Sequence, residues 1–173
     1  MPASEFKKIY DTVFPVIYRI AWRIAGSEEA AEDLCQEAFF RLYEKNMSFP
    51  NQDEAKFWLI RVVKNAALNY AKRKQREIKI YQKAFREDSR EQISGEGEFI
   101  NKESILEVRE ALQKLPARLR EVLELKEWGE LNYKEIGRVL GISESNVKVR
   151  VFRARGKLQE ILSRKNTEAN NVP

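Results

Sequence analysis

Apolar positions recur along nearly the whole chain at helical spacing, and no alternating strand pattern is sustained anywhere. Phe6, Ile9, Tyr10, Val13, Ile17, Ile20, Ala21 and Ile24 fall on one side of a helix over about 4–25. Pro15 inside it should kink or split that helix, because proline brings no N–H to the ladder. Gly26-Ser27 stops one helix and caps the next, which spans about 28–45 and buries Ala31, Leu34, Ala38, Phe39 and Leu42. The segment NMSFPNQD (46–53) reads as a loop, with Asp53 placed to cap a third helix from about Glu54 to Arg76. Over 75–101 the periodicity fades into polar sequence around GEG, a flexible or partly helical linker. Further helices at about 103–114, 117–128, 133–140 and 144–162 form a second unit, with Pro116 at a favourable first-turn position. The fold class is all-α: two small helical domains joined by a linker.

The turn chemistry of the second unit is that of a helix-turn-helix. Asn132 and Glu135 have the spacing of a capping box, Gly137 is small where two helices would cross, Gly141 suits the turn, and Ser143 can cap the last helix. Advanced by about 100° per residue, Val147, Val151, Ala154 and Leu158 share the core side of that helix. Opposite them lie Ser145, Val149, Phe152 and Gly156, flanked on both edges by Lys148, Arg150, Arg153 and Arg155. A solvated helix would centre its charges on the outward face; here they frame an uncharged strip. That suits a DNA reader, whose uncharged groups meet base edges while its cations meet phosphates. A membrane-surface helix fits poorly, since the apolar side is needed by the fold.

Charge sharpens this division. The 173-residue chain carries a net +5, but eight bases and one acid lie between Arg61 and Lys83, and seven bases and one acid between Asn146 and Lys165. Between Glu28 and Glu44 six acids stand against a single arginine. Two cationic islands suggest two contacts on one polyanion, with an acidic surface kept for something else. On the third helix Trp58, Leu59, Val62, Val63, Ala66 and Tyr70 form the expected buried side, and Phe57, Arg61, Lys64, Asn65, Leu68 and Lys72 the outward one. Cations, an amide and exposed apolar groups suit single-stranded DNA, and Ser48, Phe49, Asn51 and Gln52 could hold an unstacked base. Core aromatics with a solvated basic face account for the same pattern. On the second helix Glu29, Asp33, Gln36, Glu37 and Phe40 point outward, either as a protein-docking face or as an ordinary solvated one.

Catalysis finds little to work with. There is no histidine, and one cysteine, Cys35, which reads as a buried hydrophobe; no metal, cofactor or small-molecule substrate is expected. A lone cysteine and the lack of a signal-peptide pattern or an apolar run of membrane-spanning length lead to the expectation of a cytoplasmic protein, not inserted in a membrane.

The stretches AEDLCQEAFFRLYE, FWLIRVVKNAALNYAKRK and LPARLREVLELKEWGELNYKEIGRVLGISESNVKVRVFRARGKL resemble bacterial RNA polymerase sigma factors of the sigma-70 class. The short two-domain form is similar to the extracytoplasmic-function (ECF) group, and the likeness covers about 6–76 and 103–162. The resemblance implies a sigma region 2 over 1–76, a linker over 77–102, a sigma region 4 over 103–165 and a disordered tail over 166–173. It implies core-polymerase contacts by Glu29, Asp33, Gln36, Glu37 and Phe40 on the clamp helices of the largest subunit, with a further polymerase contact on the flap. It assigns capture of melted minus-10 DNA to Ser48, Phe49, Asn51, Lys56, Phe57, Arg61, Lys64, Asn65, Leu68 and Lys72. Reading of the minus-35 element falls to Ser145, Asn146, Lys148, Val149, Arg150, Phe152, Arg153 and Arg155. It also implies restraint by an anti-sigma factor. Relatives more often carry alanine at the position of Gly137 and a polar residue at that of Val149. A stand-alone dimeric regulator would leave the acidic helix and the first basic island without a use.

Overall fold

The computed structural model describes residues 2–84, 107–108 and 110–170, and among these no strand forms. Helix α1 runs Ala3–Ala25, α2 Glu28–Glu44 and α3 Gln52–Ala84. In the second half a helical stretch at 110–114 precedes α4 (Ala117–Leu123), a π-helical turn (Glu124–Trp128), α5 (Tyr133–Leu140) and α6 (Glu144–Asn170). Helix α3 thus enters the stretch expected as linker, whose remainder over 85–102 lies outside the described residues. Likewise α6 runs to Asn170, into the expected tail, of which 171–173 lie outside them.

The boundaries have local causes. Gly26 adopts φ 75°, a left-handed C-cap, and donates its N–H to the Trp22 carbonyl. Ser27 Oγ then accepts from the Ala30 N–H at 3.2 Å and starts α2. Pro15 neither splits α1 nor ends it: the helix is continuous through it, and proline sits on the exposed side. Water can serve the Asp11 carbonyl that lacks its donor, while Ile9, Val13, Ile17 and Ile20 hold the other side in the core. The cap of α3 is Asn51 instead of Asp53, its Oδ1 accepting from the Glu54 N–H at 3.0 Å. The helix begins at Gln52, so Asp53 is already within its first turn.

Helices α1, α2 and α3 pack around Ile17, Ile20, Leu42, Leu59, Ile60 and Val63, all fully buried. Burying each such aliphatic side chain is worth about 1.5–3 kcal/mol. At one end Phe39 wedges between Phe6, at 5.9 Å, and Tyr10, at 4.8 Å between ring centroids, tying α2 to α1. Tyr10, expected in the core, remains 39% exposed at the rim of this cluster.

In the second half α6 packs on α4 and α5 through Val147, Val151 and Ala154, against Val122, Ile136 and Val139. Gly137 lies where the two helices of the motif meet: a Cβ there would come within 2.7 Å of the Ile142 carbonyl oxygen. Gly141 turns the chain at φ 69°. The two halves share one continuous apolar cluster. Helix α1 touches the π-helical turn, where Arg19 Nε donates to the Trp128 carbonyl at 2.7 Å, and α3 lies against α5.

Candidate nucleic-acid and polymerase interfaces

Helix α6 carries its outward strip as the periodicity predicts. Asn132 Oδ1 accepts from the Glu135 N–H at 2.9 Å while Glu135 Oε2 accepts from the Asn132 N–H at 2.8 Å, so the capping box is complete in both directions. Ser143 Oγ accepts from the Asn146 N–H at 3.2 Å and fixes the start of α6. The strip stands clear of the fold: Phe152 is 81% exposed and Val149 46%, with Ser145 and Gly156 also exposed. An aromatic ring that far out of the core does nothing for folding and leaves a large apolar surface for a partner.

The cations of the frame are held apart by partners one helical turn away or on a neighbouring helix. Lys148 meets Glu144 at 2.9 Å; the hydrogen bond holds the carboxyl below its usual range and raises the ammonium. Arg155 meets Glu127 at 2.7 Å, and that contact raises the guanidinium further. Arg150 Nε donates to Asn146 Oδ1 at 3.0 Å and its Nη1 lies 3.7 Å from Glu121. Arg153 has no ion pair among the described residues and remains exposed. Exposed pairs of this kind contribute little to stability and exchange readily for a phosphate.

On α2 the structure brings the expected acidic face together. Glu29, Asp33, Gln36, Glu37 and Phe40 are all exposed, and Phe40 stands out at 62%. Glu37 pairs with Arg41 one turn on. Tyr43, 68% exposed, extends the aromatic area. Cys35 lies on the opposite side, fully buried, and burial pushes its thiol up to about 12, so it stays protonated.

Helix α3 departs from expectation. Ser48, Asn51, Arg61, Asn65 and Lys72 are exposed, but Phe57 and Lys64, expected outward, are 4% and 5% exposed. Leu68 is half-buried, as are Trp58, Val62, Ala66 and Tyr70 of the expected core side. Helical periodicity finds apolar sides but does not reveal that a second domain will cover one of them. Lys64 Nζ meets Glu121 Oε2 at 3.1 Å and Lys56 Nζ meets Glu135 Oε1 at 2.8 Å. Burial alone would raise the Glu135 carboxyl; the hydrogen bonds from Lys56 and the Asn132 N–H outweigh it and hold the group below its usual range. Leu68 and Lys72 line a cavity of about 170 Å³ at the seam, with Leu112, Arg120, Glu124 and Trp128 on its far wall. Phe49, Asn51, Phe57, Trp58 and Arg61 line an open groove of about 340 Å³ at the start of α3, wide enough for an unstacked base.

The contacts of three carboxylates at this seam escaped the sequence reading, although Glu135 was legible as half of a capping box. Glu121 and Glu135 give no sign of their distant partners; Glu124 does show a signal, since it interrupts the apolar run VLEL one turn after Arg120. Glu124 is 4% exposed, and its Oε2 has no hydrogen-bond partner. Burial raises its carboxyl to about 7, against the opposing pull of Arg120 and Lys64. Among the described residues no group of His, Cys, Asp and Glu side chains could hold a metal ion, and no helix is long and apolar enough to cross a membrane.

Family comparisons agree with this layout. The sigma-70 region 2 model matches residues 9–77, and the model for sigma-70, region 4, matches 105–158. The ECF RNA polymerase sigma factor SigM of Bacillus subtilis is 30% identical over 157 residues, which cover 91% of this chain and 94% of SigM. The solved structure of CnrH in complex with the cytosolic domain of CnrY superposes with a TM-score of 0.65 at 21% identity, over 94% of this chain and 90% of CnrH. The sigma factor RpoE of Bartonella quintana, solved with the anti-sigma factor NepR, gives a TM-score of 0.59 at 23% identity, over 93% of this chain and 98% of RpoE. At such identities these two structures establish a shared fold.

A region 2 unit followed by a region 4 unit is the make-up of a sigma-70-class RNA polymerase subunit. The chain belongs to the ECF group of these sigma factors.

Proposed function

We propose that this sigma factor docks on core RNA polymerase through α2 and on promoter DNA through α6 and the start of α3. The observation that carries the reading is the strip Ser145, Val149, Phe152 and Gly156 on α6, exposed within a frame of cations on a fully capped helix-turn-helix. Phe152 and Val149 suit thymine methyls, and Arg153 and Lys148 suit phosphates or guanine edges of a minus-35 element. Asn65, Arg61 and Lys72 with the loop from Ser48 to Asn51 would take melted minus-10 DNA, the groove beside Phe49 receiving one base. The acidic rim around Phe40 suits a basic partner that buries the ring, as the clamp helices of the largest polymerase subunit would; region 4 would meet the flap. Chemistry then belongs to the polymerase, the chain supplies promoter choice, and its place of work is the cytoplasm. RpoE was solved bound to an anti-sigma factor, and the same kind of restraint is proposed for this chain.

Reconstitution tests the reading. Purified chain mixed with core RNA polymerase should co-elute on size exclusion and direct transcription from a subset of a randomised promoter library. Failure to bind core in the absence of any inhibitor would overturn it.

A further inference from the structure

Five glycines fall among the described residues, and the fold explains four of them. Gly26 and Gly141 adopt positive φ, and a Cβ at Gly129 or Gly137 would come within 2.7 Å of a backbone carbonyl oxygen. Gly156 has neither reason. It lies exposed inside the continuous helix α6, and a Cβ there would meet nothing within 4 Å. Glycine inside a helix is less stable than alanine, because its backbone loses more freedom on ordering. The chain thus carries a weakness that its own packing does not require. Gly156 also ends the uncharged strip. At about 100° per residue it stands one turn beyond Phe152, with Arg153 and Lys157 to one side and Arg155 to the other. Val149 and Phe152, both exposed, lie three residues apart, so their side chains form one apolar patch just before it.

We propose that Gly156 is a positioning residue for promoter recognition: it leaves a gap where the sugar-phosphate backbone passes α6, so that Val149 and Phe152 seat on thymine methyls. The proposal rests on the assignment of α6 to the minus-35 element. A major groove is about 12 Å wide and a helix with its side chains about 10–12 Å across, so a helix in the groove has no slack. A recognition helix meets base edges with its first turns and passes the groove wall further along. On α6 that wall falls at the end of the strip, where Gly156 narrows the helix between cations that suit phosphates. The C5-methyl of thymine is the apolar group on the major-groove edges. Val149 has no donor or acceptor, and against a purely polar edge it would displace water without replacing its hydrogen bonds. The patch therefore selects thymine by contact and rejects other bases by desolvation. Its reach is short, since a gap of about 1 Å forfeits up to half of a methyl contact. A side chain at 156 that pushes the helix outward lifts both residues off the bases.

The test uses holoenzyme reconstituted from the full chain and core polymerase, with promoter duplexes that it selects from a randomised library. Gly156→Ala should raise the thermal midpoint of the free chain by about 1–4 °C and leave core binding unchanged. It should nevertheless weaken binding to the selected duplex by about tenfold. For the wild type, deoxyuridine in place of each minus-35 thymidine in turn, on either strand, should reveal at least one position that costs about fourfold, the effect of one buried methyl. The Gly156→Ala holoenzyme should be largely indifferent to that replacement, a coupling that a purely structural role for Gly156 does not produce. Equal affinity of the two holoenzymes for the duplex would overturn the gap. A selected minus-35 element without thymine, or a uracil penalty of the same size in both holoenzymes or in neither, would overturn the link between the gap and the methyls. A wild-type holoenzyme that selects no duplex at all would overturn the α6 assignment and the proposal with it, a result distinct from the others.

Discussion

Replacing Glu124 with glutamine should make the protein more stable at alkaline pH and remove a pH dependence that the wild type shows. Glu124 is 4% exposed at the start of the π-helical turn; Arg120 Nε is 3.6 Å from one carboxylate oxygen, and the other has no partner. Burial dominates these contacts and raises the carboxyl from 4.5 to about 7. The folded state therefore holds the proton more tightly than the unfolded chain does. Stability from this group is fully present below the unfolded value of 4.5, declines as pH rises, and levels off once pH passes about 7. Each unit of difference is about 1.36 kcal/mol, so between pH 5 and pH 8 the loss amounts to about 2–3 kcal/mol. Glutamine keeps the shape and carries no charge. Urea unfolding of both proteins at pH 5 and pH 8, followed by far-ultraviolet circular dichroism, isolates the effect, because all other titrations cancel in the difference between variants. The glutamine variant should gain about 2–3 kcal/mol on the wild type in going from the lower pH to the higher. A difference between the two proteins that does not change with pH would refute the argument that burial governs this carboxyl.

Three further outcomes are expected. Phe40→Ala should weaken binding to core polymerase by about tenfold or more and leave DNA binding by the free chain alone, whereas Arg153→Ala should do the reverse; gel filtration and fluorescence anisotropy separate the two, and loss of the same step in both variants would contradict the division of surfaces. Gly137→Ala should destabilise the helix-turn-helix by about 1–3 kcal/mol, because the new Cβ meets the Ile142 carbonyl 2.7 Å away, and thermal unfolding checks this; an unchanged midpoint would show that the turn yields freely. Cys35 should resist iodoacetamide at pH 8 in the folded protein and react once unfolded, since burial keeps the thiol protonated and inaccessible; rapid labelling of the native chain would contradict its burial.

The sequence was most readable where structure depends on near neighbours. The break at Gly26-Ser27, the box of Asn132 with Glu135 and the framed strip on α6 all follow from residues within a turn or two of each other. Asn51 and Asp53 are both competent caps two positions apart, and the loop's path, which the sequence does not show, selects Asn51. The α3 surface was harder for a deeper reason. Phe57 and Lys64 lie on a side that a lone three-helix unit would leave to solvent, and its burial depends on Glu121 and Arg138 many residues away. Periodicity carries information about one helix, whereas a seam between domains depends on pairs of helices that no local pattern connects. The acidic face of α2 was legible because nothing among the described residues covers it.

Glu121 stands between Lys64 of α3, at 3.1 Å, and Arg150 of α6, at 3.7 Å, so one carboxylate neutralises a cation from each half of the chain. The pair with Arg150 lies within the second half and does not depend on how the halves are arranged, whereas the pair with Lys64 exists only while they are apposed.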